Sequence, residues 1–572
     1  MNTLTVLIGS VILLGCGYKF YGQWLAHHFD MENSGELTPA HKYQDGLDYM
    51  PAKSHILFGH HFSSIAGAGA ITGPILAACF GWLPAVFWII LGGIFFGGPQ
   101  DMGALAASIR YKGHSLGEIL SVRVSPRTKI LFFCFACCAL LLLMASLISI
   151  IADTFAATYT SSGAINMAAS NTGASLATIS VFITASAIIL GIIDKRFQPT
   201  RISAALIGIL FIILSIILGM KFHSLYLSHT TWIVLLMTYI AITSVTPVNL
   251  LLQPRDYLCS FLLYTVLLIA GLGILITHPE INPSVLPAFS GFTVNTANGV
   301  QYLFPVLFTT IACGAISGFH ALIASGTTAK QLDKKIDAKP VAYGGMLLES
   351  LLAIVTICII SCAMTTGHTK NITDIFAGGI AVMVSSIPYL AAYQTVIYTI
   401  LALTYSTLCL TSLDTCTRLT RLLIQEIAVT CENSQYQIPK FFKNLMTSSY
   451  FSNIIVVILA GMLSAIGFQK IWSLLGASSQ LLSCLCLLAI CSWLMNIGKT
   501  IKALLIPMLF MSTVTLAALL LTIITQVSVI MTAASSWEAY AQVGISSLLM
   551  AVAVTVGIDG IKALCGSIPQ KK

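Results

Sequence analysis

Charge is what this sequence has least of. Of its 572 residues only 8% are Asp, Glu, Lys or Arg, while 57% are hydrophobic, against roughly 25% charged in a soluble domain. That balance excludes a soluble globular enzyme. The 28 Lys and Arg give a net charge of +8, yet they form no dense run and no aromatic–basic platform, so nucleic acid is not the expected partner. No Walker A word occurs, which gives no sign of an ATP-driven pump, and no H-E-x-x-H word of a zinc peptidase occurs either.

The sixteen cysteines sit mostly inside apolar runs rather than in a disulfide framework. Cys134, Cys137 and Cys138 have a ligand-like C-x2-C-C spacing but no second Cys/His pair nearby, so they read as core. Residues 4–16 resemble a signal h-region, with Leu13–Cys16 faintly like a lipoprotein box. No Lys or Arg precedes them, and a retained first helix is expected.

What is present in quantity is apolar runs of membrane-spanning length, about 20 residues each. They predict an all-α, polytopic membrane bundle of about fifteen transmembrane helices, near 3–25, 56–77, 82–108, 130–156, 175–193, 202–220, 231–252, 257–277, 303–325, 341–364, 390–413, 451–468, 479–497, 504–526 and 541–559. An additional short or re-entrant helix is expected at 375–389. The whole of 1–572 reads as a single integral membrane unit, with 451–560 the C-terminal part of the bundle. With the N-terminus outside, every basic residue except Lys221, Lys370 and Lys470 falls on the inner side. The positive charge is therefore a topology signal, and it places the C-terminus in the cytoplasm and the N-terminus in the periplasm.

Two segments break the plain pattern. Residues 58–74 (FGHHFSSIAGAGAITGP) carry Gly67, Gly69, Gly73 and Pro74, and residues 312–328 (ACGAISGFHALIASGTT) carry Gly314, Ser317, Gly318, His320, Ser325 and Thr327. An uninterrupted helix is improbable in either. Unwound backbone at membrane depth survives only where it is buried or lines a wet cavity. A pair of such segments, one in each half, points to a transporter's binding site. Counted as the second and ninth helices, they cross in opposite directions, as an inverted repeat requires. The plainer alternative is close helix packing on small residues.

Ionisable groups inside spans are few and costly unless functional or paired. By these boundaries Asp101, Asp153 and Glu349 are the acids within spans, with Asp414 and Asp559 at helix ends. His60, His61, Asp101, His320 and Glu349 are expected to share one inner-half layer, with Asp153 nearer the outer face. Glu349 is a candidate proton carrier, and the histidines can share that task because imidazole titrates near neutral pH. The alternative is that Glu349 or Asp101 merely caps or salt-bridges a neighbouring helix. A dinuclear metal site from His60, His61, His320 and Glu349 is compatible by residue type but has no repeated ligand motif; no metal or other cofactor is expected.

The same segments resemble the carbon starvation protein A (CstA) family, which includes peptide and pyruvate uptake transporters of bacterial inner membranes. The resemblance rests on Asp45–Pro51 (DGLDYMP), Phe58–Gly69, Gly73-Pro74, Gln100-Asp101, Ser115–Glu118, Pro254–Leu258 (PRDYL), Thr310–His320, Ser325–Thr328 (SGTT) and Tyr343–Ser350 (YGGMLLES). There are departures. Lys335-Ile336-Asp337 has one acid fewer than the family word, Thr411–Arg418 varies a TALDAGTR-like word, and Ser479 in Leu474–Gln480 stands where the family has Asn. The resemblance implies an amino-acid/polyamine/organocation (APC)-like inverted-repeat transporter and bacterial inner-membrane location.

The expectation is proton-coupled secondary uptake of a small carboxylate-bearing nutrient, short peptides or pyruvate, with the carboxylate held by freed N–H groups at Gly67–Gly73 and Gly314–Gly318. The partners expected are that substrate and the lipid bilayer. An ammonium on a peptide would need Asp101, Glu349 or Asp414. Rival classes are an intramembrane metalloenzyme and a carbon-limitation sensor, but no appended signalling domain is visible.

Overall fold

The computed structural model describes residues 2–564 apart from 33–34, 46–48, 161–162, 198–199, 248–249, 297–298, 369–370, 433–438, 466–467 and 532–536. Residues 46–48 of the DGLDYMP word, and Lys370, Lys571 and Lys572 of the charge pattern, lie outside the described residues.

Among the described residues the chain is all-α apart from one hairpin, Thr293–Thr296 with Gly299–Tyr302. Eleven helices among the described residues are long and apolar enough to cross a membrane, and Ser54–Ile65 with Gly69–Phe80 is an apolar pair that meets the same test together, bent by 40° at its break. His229–Thr243, Ile372–Ser385 and Ser449–Ser464 are shorter apolar helices, the second lying where the extra short helix was expected. The spans Lys335–Thr365, Ala391–Thr430 and Leu474–Asn496 are the most enclosed, whereas Ile202–Lys221 and Trp537–Lys562 present mostly exposed apolar surface. In a bilayer such surface faces lipid, because every backbone group is already paired within its helix. This is a multi-pass membrane protein.

Ten helices position the site: α1 (Thr3–Cys16), α2 (Ser54–Ile65), α3 (Gly69–Ala77), α4 (Gly98–Arg110), α5 (Leu252–Thr277), α6 (Leu303–Thr310), α7 (Gly318–Gly326), α8 (Gly345–Thr365), α9 (Gln394–Glu432) and α10 (Phe468–Asn496). The helix α2–α3 is interrupted at 66–68, where Gly67 N–H bonds back to Ile65 O at 2.6 Å. The second interruption runs from Ile311 to Ser317, between α6 and α7. The first half of one broken helix packs on the second half of the other, α2 on α7 and α3 on α6. The two therefore run in opposite directions.

Three expectations are corrected. Gly73 and Pro74 lie inside the regular helix α3 rather than in the break. Gly73 is a contact point, since a Cβ there would meet Thr310 O at 2.6 Å. The helix expected at 257–277 begins at Leu252, because proline is tolerated in a first helical turn, and so Arg255 and Asp256 are inside it. Finally, α9 continues to Glu432, which places Asp414 mid-helix and buried rather than at an end.

The polar stretch before α2 is clasped to the segment after α7. His41 Nε2 lies 2.7 Å from Asp333 Oδ1, the Ala52 N–H donates to Gln331 O at 2.9 Å, and Lys335 pairs with Glu36. The Lys335 ammonium holds that exposed carboxyl below its usual range.

Three wide, π-type turns, Gly17–Tyr21, Gly93–Gly97 and Lys339–Gly344, meet on one side chain. Such turns disturb the regular ladder of carbonyl partners. The buried Tyr343 hydroxyl lies 3.1 Å from Ile94 O and 3.4 Å from Gly17 O, while Gly22 and Gly98 leave room for its ring. Tyr343→Phe leaves both carbonyls without that donor. A cost of about 1–3 kcal/mol is expected from orphaned buried groups, read as a lower midpoint of thermal unfolding in detergent. An unchanged midpoint would show that the hydroxyl contributes nothing to stability.

Candidate functional site

The second interruption frees backbone carbonyls in a buried region, and each of three finds a side-chain donor. Trp88 Nε1 donates to Ile311 O at 3.2 Å, Ser350 Oγ to Gly314 O at 2.9 Å and Gln100 Nε2 to Ser317 O at 2.6 Å. Gln100 also reaches Asp101 Oδ1 at 3.3 Å and accepts from Ser483. This is how non-helical backbone is maintained at membrane depth. Ser317 Oγ meets Ser479 Oγ at 3.0 Å, which places the family-departing Ser479 directly at the break.

A small cavity of about 30 Å³ lies where the two interruptions meet, lined by Ala68, Gly69, Cys313, Ser317, Gly476 and Ser479 among others. It can hold about two waters, so the site is closed around a void too small for a nutrient molecule.

Beside it stand three fully buried ionisable groups from three helices: Asp101 (α4), His320 (α7) and Glu349 (α8). His320 Nδ1 is 3.3 Å from Asp101 Oδ2 and His320 Nε2 is 3.3 Å from Glu349 Oε2. Neither contact has hydrogen-bonding geometry. Both His320 nitrogens, both Glu349 oxygens and Asp101 Oδ2 have no hydrogen-bond partner among the described residues. A histidine bridging two carboxyl groups is an arrangement that can accept, pass and release a proton.

Cys313 Sγ also lies within 4.8 Å of ligand atoms of His320 and Glu349, residue types that suit a divalent transition metal. The dinuclear set considered from sequence is not assembled. His60 Nδ1 pairs with Asp256 Oδ2 at 2.8 Å, and His61 Nδ1 with Thr328 Oγ1 at 2.8 Å.

The structure thus brings together Gly69, Asp101, Gly314, Ser317, Gly318, His320 and Glu349 of the expected residues, with Gly67 in the adjoining break. Of the five ionisable groups expected in one layer, Asp101, His320 and Glu349 stand in contact, while His60 pairs with Asp256 and His61 with Thr328. Ser325 turns its hydroxyl back to Ala321 O at 2.8 Å, and half-buried Thr327 follows the end of α7. Asp414 forms a buried ion pair with Arg255. Asp153 faces His229 at 3.1 Å on the exposed surface. Sequence reasoning missed Trp88, Ser350 and Ser483 as donors and Arg255 as a buried cation. The charged PRDYL word was the available signal for the last.

Fold and site together define a polytopic α-helical membrane protein built around two antiparallel broken helices. Residues 2–374 and 363–518 match the family model described as Carbon starvation protein CstA. The chain belongs to that family.

Among curated relatives it is 36% identical over 367 residues to the Pyruvate/proton symporter BtsT of Escherichia coli, covering 62% of this chain and 49% of that protein. It is 35% identical over 405 residues to the Peptide transporter CstA of the same organism, covering 68% and 54%. To the Peptide transporter CstA of Bacillus subtilis it is 29% identical, covering 84% of each. The chain spans about half the length of the first two. A manganese transporter of Eremococcus coleocola aligns over 91% of this chain and 99% of its own, at 13% identity and a TM-score of 0.47.

Proposed function

We propose that this protein is a secondary active transporter that takes up a small carboxylate-bearing nutrient, pyruvate or a short peptide, by alternating access coupled to protons. The observation that carries this reading is the meeting of two unwound segments over a closed cavity beside the buried Asp101–His320–Glu349 chain. Family membership and the names of the relatives support it. In this reading 1–572 acts as one unit in the bacterial inner membrane, with the C-terminus cytoplasmic and the N-terminus periplasmic. The cavity opens to one face at a time, the break N–H groups hold the carboxylate, and Glu349 carries the coupled proton.

Uptake into proteoliposomes with an imposed pH gradient is the deciding test. Accumulation of pyruvate or of di- or tripeptides is expected. Failure of both to accumulate removes the transport reading, and accumulation driven only by sodium removes the proton.

A further inference from the structure

Beside the first break, α2, α5 and α9 pack against one another. Their junction holds a second group of buried polar side chains that the proton chain does not use. Arg255 (α5) is 1% exposed and gives only Nη1 to its neighbours, to Asp414 Oδ2 and, at 2.6 Å, to Tyr239 OH. Its Nε and Nη2 have no hydrogen-bond partner among the described residues. Asp256 Oδ1, His60 Nε2, Ser64 Oγ and Ser412 Oγ are likewise buried and unpartnered. Ser412 lies against the break, its Oγ 2.7 Å from where a Cβ on Gly67 would stand.

Buried donors and acceptors are nearly always paired, and an unpaired charged donor is the costliest case. Here several unmet groups from three helices share one junction. Moreover, Nε and Nη2 form one edge of the guanidinium plane, two parallel N–H donors spaced for the two oxygens of a carboxylate.

We infer that this junction is a second binding site for the transported carboxylate, seated on the Nε–Nη2 edge of Arg255, which the substrate occupies in transit past the first break. The inference rests on the transport reading above. Asp414 holds Nη1 while the free edge takes the substrate, and it is itself kept in place by hydrogen bonds accepted from Tyr239 OH at 2.8 Å and Thr243 Oγ1 at 2.9 Å. In the same junction the unpartnered Asp256 Oδ1 can accept from an amide or an ammonium. Both are found on a short peptide.

The test is equilibrium binding of labelled pyruvate and of a dipeptide to the purified full chain, with pyruvamide as the neutral competitor. Arg255→Lys keeps the charge opposite Asp414 and loses the two-pronged edge. The wild type is expected to bind two carboxylates per chain, one at the breaks and one at this junction, and Arg255→Lys to lose at least tenfold affinity at one of the two while its unfolding midpoint stays near that of the wild type. The double variant Arg255→Gln/Asp414→Asn leaves no unpaired charge and is expected to bind one carboxylate per chain. A wild type that binds only one, Arg255→Lys with both affinities unchanged, or a double variant that still binds two, overturns the site and leaves the transport reading standing. A wild-type chain that binds neither carboxylate overturns both.

Discussion

Glu349→Gln is expected to abolish accumulation against a pH gradient while substrate exchange across the membrane continues. A one-unit gradient carries about 1.4 kcal/mol per proton, enough to concentrate a substrate ~10-fold, and in the variant the ratio should fall to one. Glutamine matches the shape of glutamate but neither takes up nor gives up a proton. Glu349 is fully buried, His320 Nε2 lies 3.3 Å from it, and both its oxygens are without a hydrogen-bond partner among the described residues. The variant therefore disrupts few existing contacts. The cavity walls at Ala68, Cys313, Ser317 and Ser479 do not include it, which is why exchange should survive. Radiolabelled uptake and counterflow from one proteoliposome preparation separate the two activities. Accumulation at the wild-type level with unchanged pH dependence would reject Glu349 as the carrier.

Gly318→Ala is expected to remove transport almost completely. A Cβ at Gly318 would stand 2.6 Å from Ser479 O and from Ser483 N, and 2.5 Å from Leu482 Cβ. The first two are backbone of α10, which cannot turn aside, so α7 and α10 must separate. Overpacking of this kind costs about 1–3 kcal/mol. It also pulls Ser317 away from Ser479 and Ser483 away from Gln100, the contacts that hold the second break. Gly69→Ala differs in kind, because its new Cβ meets the side chain of Cys313. That loss should be smaller and partly restored by adding Cys313→Ala, a non-additive response expected of groups in contact. Wild-type uptake by Gly318→Ala, or a Gly69→Ala defect unmoved by the second change, would mean ordinary helix packing at these positions.

Both interruptions were legible because Gly67, Gly69, Gly314 and Gly318 stand out in otherwise apolar runs. The trio was legible because so few ionisable residues lie inside spans. The other half of the polar interior was hidden by boundaries. Pro254 reads as a helix stop, yet it sits in the first turn of α5 and carries Arg255 and Asp256 inward. Arg418 and Arg421 read as the end of a span, yet α9 runs on past them and keeps Asp414 in the interior. Trp88 and Ser350 were invisible for another reason. Their partners are carbonyls freed more than thirty residues away in sequence, and no local pattern records which distant side chain will arrive.

Tyr343 joins the helices on which the two acids stand. Its own turn runs directly into α8, one and a half turns before Glu349, and the Gly93–Gly97 turn runs directly into α4, one turn before Asp101. A shared hydroxyl and a ring lodged against Gly98 couple these two helices mechanically, so torque on one is transmitted to the other. The histidine stands on α7, which itself packs on α4, and Gln100 of α4 holds the end of the unwound chain before it. All three ionisable groups are thereby fastened, directly or through α4, to one frame.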